Sequence, residues 1–161
     1  MKHLAIAFLM TGLGITPALS DDIPFAQPSN SPQRNAGQGS ESLGDIMGLT
    51  QLRHIKLWYA GKAENWDSVT YELQQLNDTF ARAAVQYVGI PVDTVAAVSP
   101  PLESLAEAAQ EKNSGKFVSS FEVLTGACNS CHVAAGIPFV KIQTPTSSPF
   151  SDQDFSATKP R

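Results

Sequence analysis

Seven core-type residues at strict helical spacing constrain this chain most. Trp66, Val69, Leu73, Leu76, Phe80, Ala83 and Tyr87 step alternately by three and four residues. A stripe of that period is the seam of a helix packed in a bundle. Asn65 stands before it as a good N-cap, and Asp67 complements the helix dipole in the first turn. The helix is expected to end around Gly89, with Pro91 preventing continuation.

Three further segments have helical periodicity, with no convincing strand alternation and no internal repeat. The first covers residues 43–60 and stops near Gly61. Another begins with Ser99 as N-cap and Pro100 at the first helical position, carries Leu102, Leu105, Ala106 and Ala109 on one face, and closes near Asn113. The last starts at Ser114 or Lys116 and carries the stripe Phe117, Phe121, Leu124, Cys128, Cys131. Short connections favour antiparallel neighbours. The predicted fold is therefore all-α, an antiparallel up-down-up-down four-helix bundle with an irregular C-terminal tail.

The chain divides into four parts. Residues 1–20 read as a secretory signal peptide: Lys2 is followed by an apolar run too short to span a bilayer, then by small residues before Asp21. Residues 21–40 are rich in Pro, Ser, Asn and Gly and read as a flexible leader. Residues 41–135 form the bundle, and 136–161 an irregular tail with apolar anchors such as Phe139, Ile142, Phe150 and Phe155. The expected location is the periplasm, with no membrane span in the mature chain. Removing the signal takes away Met1, Met10 and His3, leaving Met47, His54 and His132, and shifts the formal charge from −4 to −5 with the loss of Lys2. No basic cluster is present, which argues against nucleic acid and anionic membrane as partners.

Chemistry concentrates at Cys128-Asn129-Ser130-Cys131-His132, the attachment pattern for c-type haem. Two thiols three residues apart on a helix share a face and can add across the porphyrin vinyl groups, while the adjacent imidazole becomes the iron's proximal ligand. A disulfide is the simplest rival for an exported protein. A thioredoxin-type C-x-x-C expects a βαβ context that this helical chain lacks. A zinc site wants further ligands, and the mature chain offers one more His and no more Cys.

The bundle topology sets the attachment motif beside the start of the first helix, where Met47 lies. His54 is seven residues on, roughly 10 Å further along nearly the same face, with Gln51 and Trp58 on the same stripe. Three iron environments follow. Met47 as distal ligand, which the geometry favours, gives a His/Met site of raised potential. His54 as ligand gives a bis-histidine site; otherwise His54 bonds a haem propionate or a backbone carbonyl. An open position would admit a small gas molecule.

A C-x-x-C-H at the end of the last bundle helix resembles the cytochrome c′ family, including its low-spin His/Met members. Over residues 43–155 the chain is similar to uncharacterised cytochrome c′-like bacterial proteins. The similarity rests on Arg53-His54-Ile55-Lys56-Leu57-Trp58-Tyr59-Ala60-Gly61, Asn65-Trp66, Tyr71-Glu72, Ile142-Gln143-Thr144-Pro145 and Pro149-Phe150. The chain departs from the usual pattern by continuing well past the haem His. The resemblance implies one covalent haem c and, as often in that family, a homodimer. The expected function is that of a periplasmic monohaem electron carrier, not an enzyme, exchanging electrons with redox partner proteins. Its haem would be held by Cys128, Cys131 and His132, with Met47, His54 and Trp58 around it. The rivals are a five-coordinate protein binding NO or CO, and a peroxidase using His54 with Arg53 or Gln51.

Overall fold

In a computed structural model of the chain, the described residues are 41–87, 89–90 and 92–157, the side chain of residue 92 excepted. The expected signal peptide, the leader and the stop at Pro91 lie outside them. Five helices and no strand occur among the described residues: α1 (Leu43–Lys62), α2 (Trp66–Gln86), α3 (Val92–Ala96), α4 (Ser99–Gln110) and α5 (Ser114–Ala134). None is long and apolar enough to cross a membrane.

Three of the four long helices begin at a side chain that satisfies an otherwise orphaned amide. At α1 the Ser42 hydroxyl accepts from the Asp45 amide at 3.1 Å, and the Asp45 carboxylate accepts from the Ser42 amide at 3.0 Å. Asn65 accepts from the Ser68 amide ahead of α2, and Asn113 from the Lys116 amide ahead of α5. Helix α4 starts otherwise. Ser99 is its first helical residue rather than its cap, and the N-cap Val98 has right-handed helical dihedrals and no capping side chain. The reason lies upstream. The five-residue α3, too short to register as periodicity, leads through turns at Ala97 and Val98 straight into α4, so no extended residue precedes it. Pro100 and Pro101 in the first turn bring no amide hydrogens that would need a cap.

Each long helix packs on two others: α1 on α2 and α5, α4 on α2 and α5, with α3 touching α2 and α5. The α2 stripe faces this interior. Val69, Leu73, Leu76, Ala83 and Tyr87 are buried, and Trp66 and Phe80 pack partly buried against the core. Tyr87 lies just past the helix end at Gln86, and its hydroxyl donates to the Glu41 carbonyl at 2.7 Å, tying the exit of α2 to the entry of α1. Arg53 joins α1 to α2 through the buried Glu72 carboxylate at 3.2 Å and Gln75 at 3.4 Å. The core forms two clusters, a large one around Leu57, Leu76, Leu105, Phe117 and Phe121, and a smaller one of Ile46, Ala83 and Tyr87.

Aromatic rings fill the seam between α1 and α5. Trp58 lies 4.9 Å from Phe121 and 6.3 Å from Phe117, and Phe117 presses on the backbone of Gly61. Gly61 is thus a contact residue one turn position inside α1, which runs on to Lys62. Gly136 ends the influence of α5 with a φ of 74°. Its amide donates to Val133 and that of Ile137 to His132, a left-handed stop that turns the chain back along the helix end. The tail then crosses to α1. Lys56 sits over the Phe150 ring, Phe155 packs against Tyr59, and Asn65 donates to the carbonyls of Phe155 and Ser156.

A methyl group at Gly61 would overlap the fully buried Phe117 ring, whereas one at Gly48 would meet nothing within 4 Å. Gly61→Ala is expected to lower stability by about 1–3 kcal/mol. Gly48→Ala, on an exposed helical position, is expected to raise it by roughly 0.5–1 kcal/mol. Urea denaturation followed by circular dichroism checks both.

Candidate functional site

Both core clusters contribute walls to a cleft of about 800 Å³, counted to its open mouth. Its lining is almost wholly apolar. Cys128, Cys131 and His132 enter it from the last turns of α5; Met47, Thr50, Gln51 and His54 come from α1; Thr94 and Val95 come from α3. Ile137 and Ile142 close it from the tail. Five of the six site residues expected from the sequence therefore meet in one cavity. Trp58 does not line it. Its ring belongs to the aromatic seam beneath, against Phe117 and Phe121. Arg53 is engaged by Glu72 and Gln75 rather than by the cleft.

The thiols are free and sit in apolar surroundings. Burial pushes Cys128 up to about 11, with the neighbouring Cys131 adding to the shift. Cys131 is also raised by burial, against a hydrogen bond from Thr94 that works the other way. Both stay protonated at neutral pH. A nucleophilic or exchange-active cysteine needs the opposite environment, one that stabilises thiolate. Among the described residues no group of three or more His, Cys, Asp and Glu converges as a bare-metal site.

His132 has its proton placed by the tail. Its Nδ1 lies 2.7 Å from the Val140 carbonyl oxygen, which can only accept, so Nδ1 carries the hydrogen and Nε2 keeps a lone pair. That is the tautomer of a metal-binding imidazole. Asn129, the residue that follows Cys128 in the motif, pairs with the tail backbone. Its side-chain amide donates to the Ile142 carbonyl at 2.9 Å and its oxygen accepts from the Ile142 amide at 2.8 Å.

His54 is 3% exposed and lies 4.4 Å from the Phe121 ring. Its Nε2 is 2.9 Å from the Thr125 hydroxyl, whose own hydrogen goes to the Phe121 carbonyl. The hydroxyl therefore accepts, Nε2 donates, and Nδ1 is left bare. Nδ1 is buried with no hydrogen-bond partner among the described residues. Burial holds the imidazole at about 4, neutral over the physiological range.

A second, polar pocket adjoins the cleft and shares Gln51, His54 and Ile142 with it. The tail supplies Lys141, Gln143, Thr146 and Ser147, and among the described residues Lys141 is its one permanently charged lining residue.

Asn129, Thr125, Thr94 and the Val140 carbonyl were not singled out from the sequence. Thr125 left a faint sign as a hydroxyl beside Leu124 on the buried face of α5; the others depend on where the tail and α3 return. No protein-family model matches the chain, and neither does any curated protein or solved structure.

The His54 environment has a pH signature. In the chain carrying no cofactor, the unfolded state takes up a proton below about 6.5, whereas the folded imidazole resists until about 4. Stability therefore falls as pH drops through that window, by up to about 3 kcal/mol. Urea midpoints at pH 7 and pH 4.5 should separate, and His54→Leu should remove most of the difference.

Proposed function

We propose that this chain is an exported c-type cytochrome that carries one haem on α5 and transfers single electrons. The observation that carries the reading is the meeting of Cys128, Cys131 and His132 with Met47 and His54 in one apolar cleft. An iron porphyrin fits this residue set on three counts. The cavity walls suit an apolar macrocycle, the bare Nε2 of His132 suits iron, and the unpartnered Nδ1 of His54 asks for something polar or metallic in the loaded protein. Cys128 and Cys131 would hold the group through thioethers, which keep it from dissociating. The adjoining polar pocket, with Lys141, Gln51 and Gln143, suits the haem carboxylates.

When bound, the group supplies a one-electron iron couple. The protein's part is to fix the ligands. His132 and, opposite it in the cleft lining, Met47 would hold the iron, since Met47 shares the cleft, needs no deprotonation and sits on a helix. A His/Met pair raises the potential and suits electron transfer. The bare Nδ1 favours a second reading, in which His54 and His132 together would hold the iron. The Val140 carbonyl would hold the His132 ring in orientation, and contact with the Ile46, Ala83 and Tyr87 cluster would hold Met47.

The finer fold and setting belong to the same proposal. An antiparallel up-down-up-down bundle is supported by pairings that run in opposite senses along α1 and α5: Gly61 with Phe117, Trp58 with Phe121, His54 with Thr125, and Met47 with Cys128 and Cys131 across the cleft. Residues 1–20 support export to the periplasm, where redox proteins would be the partners.

Expression with haem-attachment machinery is expected to give a coloured band that survives a denaturing gel, and the Cys128→Ala/Cys131→Ala double variant a colourless one. The ferric spectrum should be low-spin with a methionine-to-iron band. Met47→Ala should turn it high-spin, and His54→Ala should leave the band in place. The reverse pattern assigns bis-histidine, and a high-spin parent that shifts with CO or NO replaces the carrier with a gas-binding protein.

A further inference from the structure

Four consecutive residues, Pro138 to Lys141, are exposed, Phe139 at 80% and Val140 at 40%. Apolar packing therefore does not hold this segment in place, yet the Val140 carbonyl stands 2.7 Å from His132 Nδ1. The turn at Gly136 and the bond from the Ile137 amide to the His132 carbonyl fix its start, and the Val140 amide bonds back to the Ile137 carbonyl. What fixes its far end is Asn129. Among the described residues, the only side chains hydrogen-bonded to the backbone of residues 138–142 are His132 itself and Asn129. A carboxamide is suited to this because it offers one donor face and one acceptor, and here both are used on the same residue, Ile142.

We propose that Asn129 is a positioning residue for the iron ligand: by clamping Ile142 to α5 it holds the Val140 carbonyl against His132 Nδ1–H. The inference rests on the haem reading above. A hydrogen bond from Nδ1–H gives the imidazole partial anionic character and makes Nε2 a stronger donor, which favours ferric over ferrous iron and lowers the potential. Asn129 thus acts on the couple through the tail without touching the cofactor. The extension past His132 becomes part of the redox site, and the second residue of the C-x-x-C-H pattern acquires a task unrelated to attachment.

The test uses the full haem-loaded chain. Asn129→Ala is compared with Ser130→Ala, whose hydroxyl, among the described residues, bonds to Gly126 within its own helix. Two quantities are read: the reduction potential, and the exchange rate of the His132 ring N–H in the diamagnetic reduced protein by NMR. Asn129→Ala is expected to raise the potential and to speed that exchange roughly tenfold, the loss of one structural hydrogen bond's protection. Ser130→Ala should change neither. If Asn129→Ala fails to load, Ile142→Pro removes the amide hydrogen that Asn129 Oδ1 accepts, one of the two bonds of the clamp, and should shift both quantities in the same direction. Parent-like potential and exchange in a loaded clamp variant, whatever its melting temperature, overturn the proposal. A parent chain that keeps no haem on a denaturing gel overturns the reading beneath it, a separate and visible failure.

Discussion

The contact of Phe117 with the bare backbone of Gly61 governs how α1 and α5 meet. No larger residue at Gly61 would let the ring lie so close, and from that contact the pairing propagates toward the other end. Trp58 packs on Phe121, His54 reaches Thr125, and Met47 comes to share a cleft with Cys128, Cys131 and His132. Helices are stiff and rise about 1.5 Å per residue, so one close approach near one end sets the register of every pair beyond it. The candidate site stands at the far end of that seam, where the two core clusters contribute opposite parts of its lining.

Two imidazoles stand in this apolar setting, and each has its proton placed by a neighbour. Thr125 uses its hydrogen on the Phe121 carbonyl and so dictates the tautomer of His54; Val140 dictates that of His132. The two imidazoles differ in what is left over. His132 keeps a bare Nε2 and His54 a bare Nδ1, and burial keeps His54 uncharged. The thiols are likewise held neutral by burial. This is poor ground for thiolate chemistry and suitable ground for a large apolar group anchored through side chains that carry no charge of their own.

Most of the helical plan could be read from residue spacing because burial imposes it directly. The Trp66-to-Tyr87 stripe faces the core along its length, with Trp66 and Phe80 partly buried and the rest buried, and the Phe117, Phe121, Leu124 stripe of α5 lies in the core. Asn65 and Asn113 cap their helices through local geometry, and the Asn65 cap was legible for that reason. Two local readings shifted. Ser99 lost the cap position to Val98 because α3 delivers the chain to α4 already coiled, and five residues are too few to announce a helix by periodicity. Trp58 shares a helical stripe with Met47 and His54, but its large ring is taken up by Phe117 and Phe121 before the cleft begins. Stripe membership assigns a face of a helix; it does not say which neighbour occupies each level of that face.

Short-range chemistry was in the residues themselves: the amphipathic stripes, the five-residue motif, and a tail too irregular to be a fifth long helix. These depend on spacing along the chain, which sequence displays. The tautomers of His54 and His132, the bonding of Asn129 to Ile142, the arrival of Thr94 at Cys131 and the polar pocket walled by Lys141 all join residues distant in the chain or segments without a period. Only the packed chain decides them, because a hydrogen bond is made or lost over a few tenths of an ångström and no pattern of residue types encodes that distance.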